Sequence, residues 1–207
     1  LRSALAPDAA AGRKAAFDRF AETGLPHHKI EAWKYTSLVH LARGDFQPAP
    51  ANIDLPTTLP EKLAGTARAV FMNGRFTAGL SDTGITGFQP TSSNTEAPAL
   101  GMEAADDPML ALAAALGEDG AVLDLGADAR PVELLYVSVP GSGAQMAHTR
   151  NVIQVAAGAS ATVIERHLTI GVGEATLANG STRIELGEGA TLDHVKLQAE
   201  AANANHV

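Results

Sequence analysis

Four histidines in the second half of the chain are the side chains best suited to bind a metal ion: His148, His167, His194 and His206. Imidazole nitrogens are good ligands for zinc and iron. No two of these histidines form an HxH or HxxxH pair, so a metal site would require distant strands to bring them together. The spacing therefore favours surface or structural histidines, and we assign no metal ligand.

A second set, Glu165, His167, Asp193 and His194, has the residue types of an acid–base centre. A carboxylate can orient an imidazole and shift its pKa, which suits general acid–base catalysis. The sequence shows neither a nucleophile that such a pair would activate nor a substrate pocket. We therefore assign no catalytic residue, and we interpret Asp193-His194 as marking a corner between strands.

The chain's only tryptophan lies in GLPHHKIEAWKYTSL, residues 24–38, where it could stack on a ligand or bind a partner. At helical spacing an aromatic residue is more often part of the core, so we predict that Trp33 packs against Phe17 or Phe20. GVGEATLANG, residues 171–180, lacks the GxxG that completes a dinucleotide-binding fingerprint and predicts a loop. We assign no cofactor-binding residue.

The composition limits the class of protein. The chain has 207 residues, enough for one large domain or two small ones, and no cysteine, which excludes disulfides and cysteine-ligated metal centres within these residues. A formal net charge of -8 disfavours binding to nucleic acid or to anionic membranes. No run reaches the roughly 18 apolar residues of a membrane span, and no signal peptide is visible. We expect a cytoplasmic protein whose true N-terminus precedes Leu1.

The elements that would position these residues fall into three segments, of which the first, residues 1–47, is predicted to be helical. An apolar stripe over residues 8–23 predicts one helix, which ends at Gly24. Pro26 is suited to begin a second helix, in which Trp33 would face inward.

The second segment, residues 48–117, is predicted to be irregular with a few short elements. A proline-rich spacer opens it, followed by a strand at 69–72 and an Asn-Gly hairpin turn. A polar loop is predicted over 81–96. A helix is predicted at 107–116, since an aspartate precedes it, a proline lies in its first turn and a glycine follows its end.

The third segment, residues 118–207, repeats with the spacing that separates Gly158 from Gly189. Superimposing these two glycines aligns the aliphatic residues of two units, Ile153 with Ile184 and Val155 with Leu186. All four alternate with polar neighbours, as in a strand with one buried face, so we predict that they are buried. One such unit cannot bury its apolar face alone, whereas stacked units can. The repeat therefore favours a β-solenoid, with a β-sandwich as the alternative.

Three stretches of the chain carry a family resemblance. The core of the tryptophan segment comprises Glu31, Trp33, Lys34, Tyr35 and Thr36. VFMNGRF follows later, and HTRNVIQVAAGASATVIERH is followed by LDHVKLQ at residues 192–198. Together these stretches resemble the SufB/SufD family of SUF iron–sulfur cluster assembly proteins, and its SufD branch in particular.

The resemblance implies a mainly β fold: a right-handed parallel β-helix preceded by an N-terminal α-helical region. It implies a non-catalytic scaffold in the SufBCD complex, with SufB and the SufC ATPase, or a second copy of the chain, as partners. The iron–sulfur cluster would be assembled transiently on the whole complex, and this segment would hold no cofactor. Because the chain stops about halfway along a family member, we expect it to be truncated, with the cluster-site residues and the SufC-docking helices beyond Val207.

Two other classes remain open from the residues alone. A β-helix carbohydrate-active enzyme would need clustered Asp or Arg on consecutive coils for acid–base chemistry. A hexapeptide-type acyltransferase would show a tight six-residue repeat, whereas the repeat found here has the much longer spacing from Gly158 to Gly189. Iron in a co-purified complex and association with an ATPase would distinguish the scaffold from both enzymes.

Overall fold

The computed structural model describes residues 7–93 and 107–207. The first helix, α1 (Pro7–Thr23), agrees with the helix predicted at 8–23. It ends at Gly24, whose φ of 70° is the left-handed conformation that glycine adopts readily after a helix. In these two stretches of chain, no helix is both long and apolar enough to cross a membrane.

The second helix, α2 (Pro108–Leu116), also agrees with its prediction. The carboxylate of Asp107 caps it by accepting hydrogen bonds from two backbone N–H groups of the first turn, which would otherwise lack partners. The two helices pack through small side chains, with Ala16 of α1 against Ala114 and Ala115 of α2. Small residues at this contact allow the two helix axes to lie close together.

The second helix predicted from Pro26 is wrong. Two short 3-10 turns occupy this segment instead, Glu31–Trp33 and Val39–Arg43. The backbone N–H of Leu38 donates to the carbonyl of Pro26 over 2.9 Å, which closes the segment into a loop. In an α-helix the two residues would lie about 18 Å apart along the axis, so this hydrogen bond excludes a continuous helix.

Trp33 lies in a small core between this loop and α2. Its ring belongs to the same apolar cluster as Phe20 and Met109, and its Nε1–H donates to Oδ2 of Asp107 over 2.8 Å. Phe17 is 48% exposed. The prediction that Trp33 packs in an apolar core is therefore confirmed, and Phe20, but not Phe17, belongs to the same cluster.

The other elements of the described residues are strands and two further 3-10 turns, at Ala78–Leu80 and Thr91–Ser93. The strands are β1 Gln47–Pro48, β2 Ala67–Met72, β3 Arg75–Phe76, β4 Phe88–Pro90, β5 Ala121–Leu125, β6 Val132–Ser138, β7 Gln145–Val155, β8 Ser160–Thr169, β9 Thr176–Leu186, β10 Thr191–Ala199 and β11 Ala204–His206. The predicted Asn-Gly turn joins β2 to β3, with Asn73 at φ 49° and Gly74 at φ 81°. The loop predicted over 81–96 is interrupted by β4, and its last three residues lie outside the described residues.

From β5 onward, successive strands alternate between two sheets. One sheet has the order β11-β9-β7-β5-β4, with β1 also beside β7, and the other has the order β10-β8-β6-β2-β3. Neighbouring strands are parallel except for the pairs β4–β5 and β2–β3. Ile153 pairs with Ile184 in the first sheet and Ser160 with Thr191 in the second, so the spacing predicted from the repeat is confirmed in both. The boundaries placed at 47/48 and 117/118 stay predictions.

Two local predictions in this region are wrong. Asp193 and His194 lie inside β10 rather than at a corner, and residues 176–180 belong to β9 rather than to a loop. The corners lie instead at Gly158 and Gly189, whose φ angles of 72° and 68° suit glycine in a tight turn. These polar residues can lie within β9 and β10 because the neighbouring parallel strands, β7 and β8, provide hydrogen-bond partners for their backbone N–H and C=O groups.

The main core lies between the facing sides of the two sheets. Its buried residues are Ala69, Phe71, Ala121, Leu123, Leu125, Val132, Leu134, Tyr136, Ile153, Val155, Ala159, Ala161 and Val163. Ile153 and Val155 are buried as predicted, but Ile184 is 42% exposed and Leu186 is 53% exposed. Both face the same way as the first pair, yet β11 pairs only with the first three residues of β9, so no strand of the described residues covers them. The burial prediction is wrong for Ile184 and Leu186.

Candidate functional site

A polar cluster lies between the sheets, beyond the apolar core along β8. Alternation along β8 turns Glu165 and His167 inward, and they are 4% and 6% exposed. His194 reaches the same carboxylate from β10, and His206 on β11 lies against the ring of His167. Three of the four histidines considered as metal ligands thus lie in one cluster, two of them on Glu165 and the third against the ring of His167.

The Glu165 carboxylate is the centre of this cluster. Its Oε2 lies 3.2 Å from Nε2 of His167, and its Oε1 lies 3.0 Å from Nε2 of His194. The Thr182 hydroxyl donates to Oε1 over 3.2 Å. Burial alone would raise the pKa of Glu165, but the hydrogen bonds from His167 and His194 outweigh it and hold this pKa well below its usual range. The carboxylate therefore stays ionised at neutral pH.

The His167 ring is fixed by two aromatic contacts. It stacks on Tyr136 with a centroid distance of 4.8 Å, and the edge of His206 approaches it at 4.5 Å. Burial lowers the pKa of His167 despite the opposite influence of Glu165, so the ring tends to be neutral. A carboxylate only accepts hydrogen bonds, so the neutral ring carries its proton on Nε2.

His206 has a carboxylate of its own. Its Nδ1 lies 2.7 Å from Oε2 of Glu200, and its buried Nε2 has no hydrogen-bond partner in residues 7–93 and 107–207. Burial would raise the pKa of Glu200, but the hydrogen bond and charge of His206 lower it. A cavity of about 20 Å³, lined in part by His167, His206 and Glu200, lies beside these rings. This volume has room for about one water molecule.

A chain of hydrogen bonds connects Glu165 to Tyr136. The tyrosine hydroxyl donates to Oδ1 of Asn151 over 2.8 Å, the Asn151 amide donates to Thr182 over 3.2 Å, and Thr182 donates to Glu165. Burial and the charge of Glu165 raise the pKa of Tyr136, so its hydroxyl stays protonated. Each side chain in this series of hydrogen bonds therefore has a partner, as a stable polar interior requires.

His148 is separate from the other three histidines. It lies on the opposite face of β7 from Asn151 and Ile153, towards α2, and its Nδ1 lies 3.0 Å from the amide nitrogen of Asn179. That nitrogen also donates to the carbonyl of Met109 in α2. An amide nitrogen only donates, so Nδ1 of His148 accepts and the neutral ring carries its proton on Nε2. Burial lowers the pKa of His148 to about 4.

The arrangement reduces the predicted acid–base set to Glu165, His167 and His194. Asp193 is exposed and lies on the opposite face of β10 from His194, away from Glu165. Paired carboxylates and imidazoles can take up and release protons. Within residues 7–93 and 107–207, no group of three or more His, Asp or Glu side chains has the geometry of a metal site.

Tyr136, Asn151, Thr182 and Glu200 were missed by reasoning from the sequence. Asn151 and Thr182 occupy equivalent positions of the repeat and pair directly between β7 and β9. The available signal for Asn151 and Thr182 was their position: each is a polar residue at an inward-facing position of the repeat, and aliphatic residues occupy the next inward positions of both strands. Nothing in the sequence pattern indicated Glu200, which reaches His206 from the connection before β11.

A buried ion cluster on the outer face of the second sheet was also missed. Glu133 is fully buried and accepts two hydrogen bonds of 3.0 Å from Arg68 and one of 2.7 Å from Arg166. Burial would raise the pKa of Glu133, but these hydrogen bonds lower it. Glu133 also accepts from the backbone N–H of Leu63, and Arg68 donates to the carbonyl of Pro60. The cluster therefore fastens the proline-rich spacer to the sheet.

Two family models match the chain. The SufBD protein N-terminal region matches residues 2–64, and the SufBD core domain of SUF system FeS cluster assembly matches residues 137–207. Together the two models match more than half of the chain, at its two ends. The matched core domain contains Glu165 and the three clustered histidines, His167, His194 and His206.

Two curated relatives are similar over most of the chain. The iron–sulfur cluster assembly protein SufD of Escherichia coli is 30% identical over an alignment of 196 residues, which covers 89% of this chain and 45% of the relative. An iron–sulfur cluster assembly SufBD family protein of Synechocystis is 26% identical over an alignment of 221 residues, gaps included, which covers 94% of this chain and 48% of the relative. The chain spans about half the length of the curated relatives it matches.

Proposed function

Since this chain belongs to the SufBD family of SUF-system iron–sulfur cluster assembly proteins, we propose that it acts as a non-catalytic scaffold subunit. In this role it would present a rigid surface on which partner subunits assemble a cluster, and the cluster would be cargo rather than a resident cofactor. The similarity to SufD of Escherichia coli supports this assignment.

The observation that carries the proposal is the in-register stacking of parallel strands in two sheets. We propose that β5 to β11 form coils of a right-handed parallel β-helix, one strand from each sheet per coil. The alternation of strands between the sheets and the equal spacing of the pairs β7–β9 and β8–β10 support this fold. Stacked coils of this kind form a stiff, extended surface, which suits a scaffold better than a catalytic pocket.

The exposed end of the stack supports a role in assembly. Aliphatic side chains of β9 and β10 are about half exposed: Ile184, Leu186, Val195 and Leu197. Within the described residues β10 pairs with β8 alone, so one of its edges carries unpaired backbone groups. Such an edge favours pairing with a further strand. We propose that additional coils of the whole protein cover this end.

The partners that we propose are a SufB-type subunit and a SufC-type ATPase in a SufBCD complex in the cytoplasm. Iron–sulfur clusters are mostly held by cysteine thiolates, and these 207 residues contain no cysteine. We therefore propose that the ligands of the assembled cluster come from outside these residues. The activity belongs to the whole complex, to which this segment contributes structure.

The test is co-expression of the full-length protein with its SufB-type and SufC-type partners, followed by size-exclusion chromatography and iron and sulfide analysis. We expect one stable complex that acquires iron and sulfide. A polypeptide of residues 1–207 should neither hydrolyse ATP nor retain stoichiometric iron and sulfide, and should not hold the ATPase. Failure of the full-length protein to join the complex would refute the scaffold, and polysaccharide hydrolysis or acyl transfer would favour the enzyme alternatives.

A further inference from the structure

Residues 26–38 form a closed loop, the Tyr35 loop, which displays an aromatic side chain that the scaffold function leaves without a role. Tyr35 is 92% exposed, and Val39, which follows the loop, is 51% exposed. Most of the tyrosine ring is therefore in water, and covering it with another apolar surface would be favourable. A cation lies beside the ring, since Nζ of Lys34 is 5.6 Å from its centroid.

The backbone that carries Tyr35 is fixed at two points. The N–H of Leu38 donates to the carbonyl of Pro26 over 2.9 Å, which closes the loop. The indole of Trp33 donates to Asp107, the cap of α2, which joins the loop to the helix. A side chain on a fixed backbone loses little conformational entropy when a partner covers it, and tyrosine has only two χ angles to fix. The Tyr35 loop is thus organised for binding before any partner arrives.

The Tyr35 loop and the 3-10 turn after it are positively charged, whereas the rest of the chain is acidic. Residues 24–44 contain one acidic residue, Glu31. They contain three basic ones, Lys29, Lys34 and Arg43, so their formal charge is +2. The whole chain is at -8, so the remaining residues together are at -10. Among the described residues, none of these three cations forms an ion pair.

On the premise of the proposed scaffold function, we propose that the Tyr35 loop binds an acidic segment of a partner subunit. Tyr35 packs against apolar groups of that segment, and carboxylates of the segment pair with Lys34 and Lys29. The position of Lys34 sets this chemistry. A surface that covers the Tyr35 ring also covers the ammonium group beside it, and a covered ammonium group without an anionic partner is costly.

An acidic protein segment fits the Tyr35 loop better than nucleic acid or an anionic membrane does. Both of these present phosphates over a wide area, and the acidic remainder of the chain would repel them. An acidic segment of a protein can contact the loop alone. A second copy of this chain is also rich in acidic residues, so the experiment has to separate it from a partner subunit.

The test is assembly of the complex from the full-length protein and its SufB-type and SufC-type partners, with the affinity measured at low and at high salt. We expect Tyr35→Ser and Lys34→Glu each to weaken assembly by about tenfold or more. The effect of Lys34→Glu should diminish as the salt concentration rises. Val172→Ser and Lys14→Glu are the matched controls and should assemble like the wild type, since Val172 is fully exposed and Lys14 forms an exposed ion pair with Asp18.

A cross-linking measurement identifies the bound segment without removing an aromatic ring from the loop. Tyr35→benzoylphenylalanine should cross-link, within the complex, to a segment of a partner subunit that is rich in Asp and Glu. A cross-link to a second copy of this chain, or to a segment without acidic residues, would overturn the proposal. All the substituted side chains are exposed, so thermal unfolding of every variant should match that of the wild type.

The remaining outcomes separate the Tyr35 loop from the scaffold function. Loop variants that assemble like the wild type would overturn the proposal and leave the scaffold function intact. Binding of the wild type to RNA or to phosphatidylglycerol vesicles, lost in Lys34→Glu while assembly is unchanged, would assign the loop to a phosphate-bearing partner instead. Failure of the wild type to form the complex would refute the scaffold function and the proposed role of the loop together.

Discussion

Acid should destabilise this protein through His148, and the burial of the ring sets the size of the effect. Burial lowers the pKa of His148 from 6.5 to about 4 in the folded protein. The folded state therefore binds this proton more weakly than the unfolded state does. The stability that the neutral ring contributes is fully present above about pH 6.5 and is lost as the pH falls towards 4. The loss between about pH 7 and about pH 4 is roughly 3 kcal/mol.

The assay is urea unfolding of the wild-type protein and of His148→Gln, at both pH values. Glutamine does not titrate and can still accept the hydrogen bond from Asn179. Carboxylates elsewhere titrate in both proteins, so the difference between the two isolates His148. We expect the wild type to lose about 3 kcal/mol more than His148→Gln. His28→Gln, at an exposed histidine, is the control and should keep the wild-type pH dependence. Equal losses in wild type and His148→Gln would refute the assignment of a buried neutral ring.

Three further predictions rest on burial and hydrogen bonding. Ile153→Ala should lower the free energy of unfolding by about 2–5 kcal/mol. Ile184→Ala in residues 1–207 should lower it by less than half as much, since the Ile184 side chain is 42% exposed. Equal losses for the two variants in urea unfolding would contradict the exposure of Ile184. Glu133→Ala should lower the free energy of unfolding by about 3–5 kcal/mol, because it leaves the guanidinium groups of Arg68 and Arg166 without their carboxylate. Replacing Glu133, Arg68 and Arg166 together by apolar residues should recover most of this loss, as measured by thermal unfolding. Trp33→Phe should cost about 1 kcal/mol by removing the hydrogen bond to the cap of α2. The native emission of Trp33 should be blue-shifted relative to the unfolded chain, and a fully exposed spectrum would argue against its place in the core.

Local signals in the sequence determined α1, α2 and the turn between β2 and β3. Capping residues and the Asn-Gly pair act through backbone groups a few residues away, so no distant part of the chain is needed to interpret them. The segment after Pro26 shows the limit of such signals. A hydrogen bond from Leu38 back to Pro26 closes it, and the periodicity that favours a helix does not predict that closure.

The repeat determined the register between neighbouring parallel strands and which side chains face inward, but not which of these side chains are buried. Ile153 and Ile184 occupy equivalent inward positions, yet only the first is buried. Alternation along a strand is a property of the backbone of that strand. Burial depends in addition on the strand stacked above it, which the strand's own sequence does not specify.

The candidate site divides in the same way. Sequence reasoning selected Glu165, His167 and His194 by residue type, but it included Asp193 and did not find Tyr136. The Glu165 carboxylate and the His194 imidazole are 29 residues apart in sequence and 3.0 Å apart in space, because β8 and β10 are neighbouring parallel strands. Residue type and strand alternation are local properties that the sequence alone determines. Which polar side chains meet depends on the register between neighbouring strands, and only the tertiary structure decides that register.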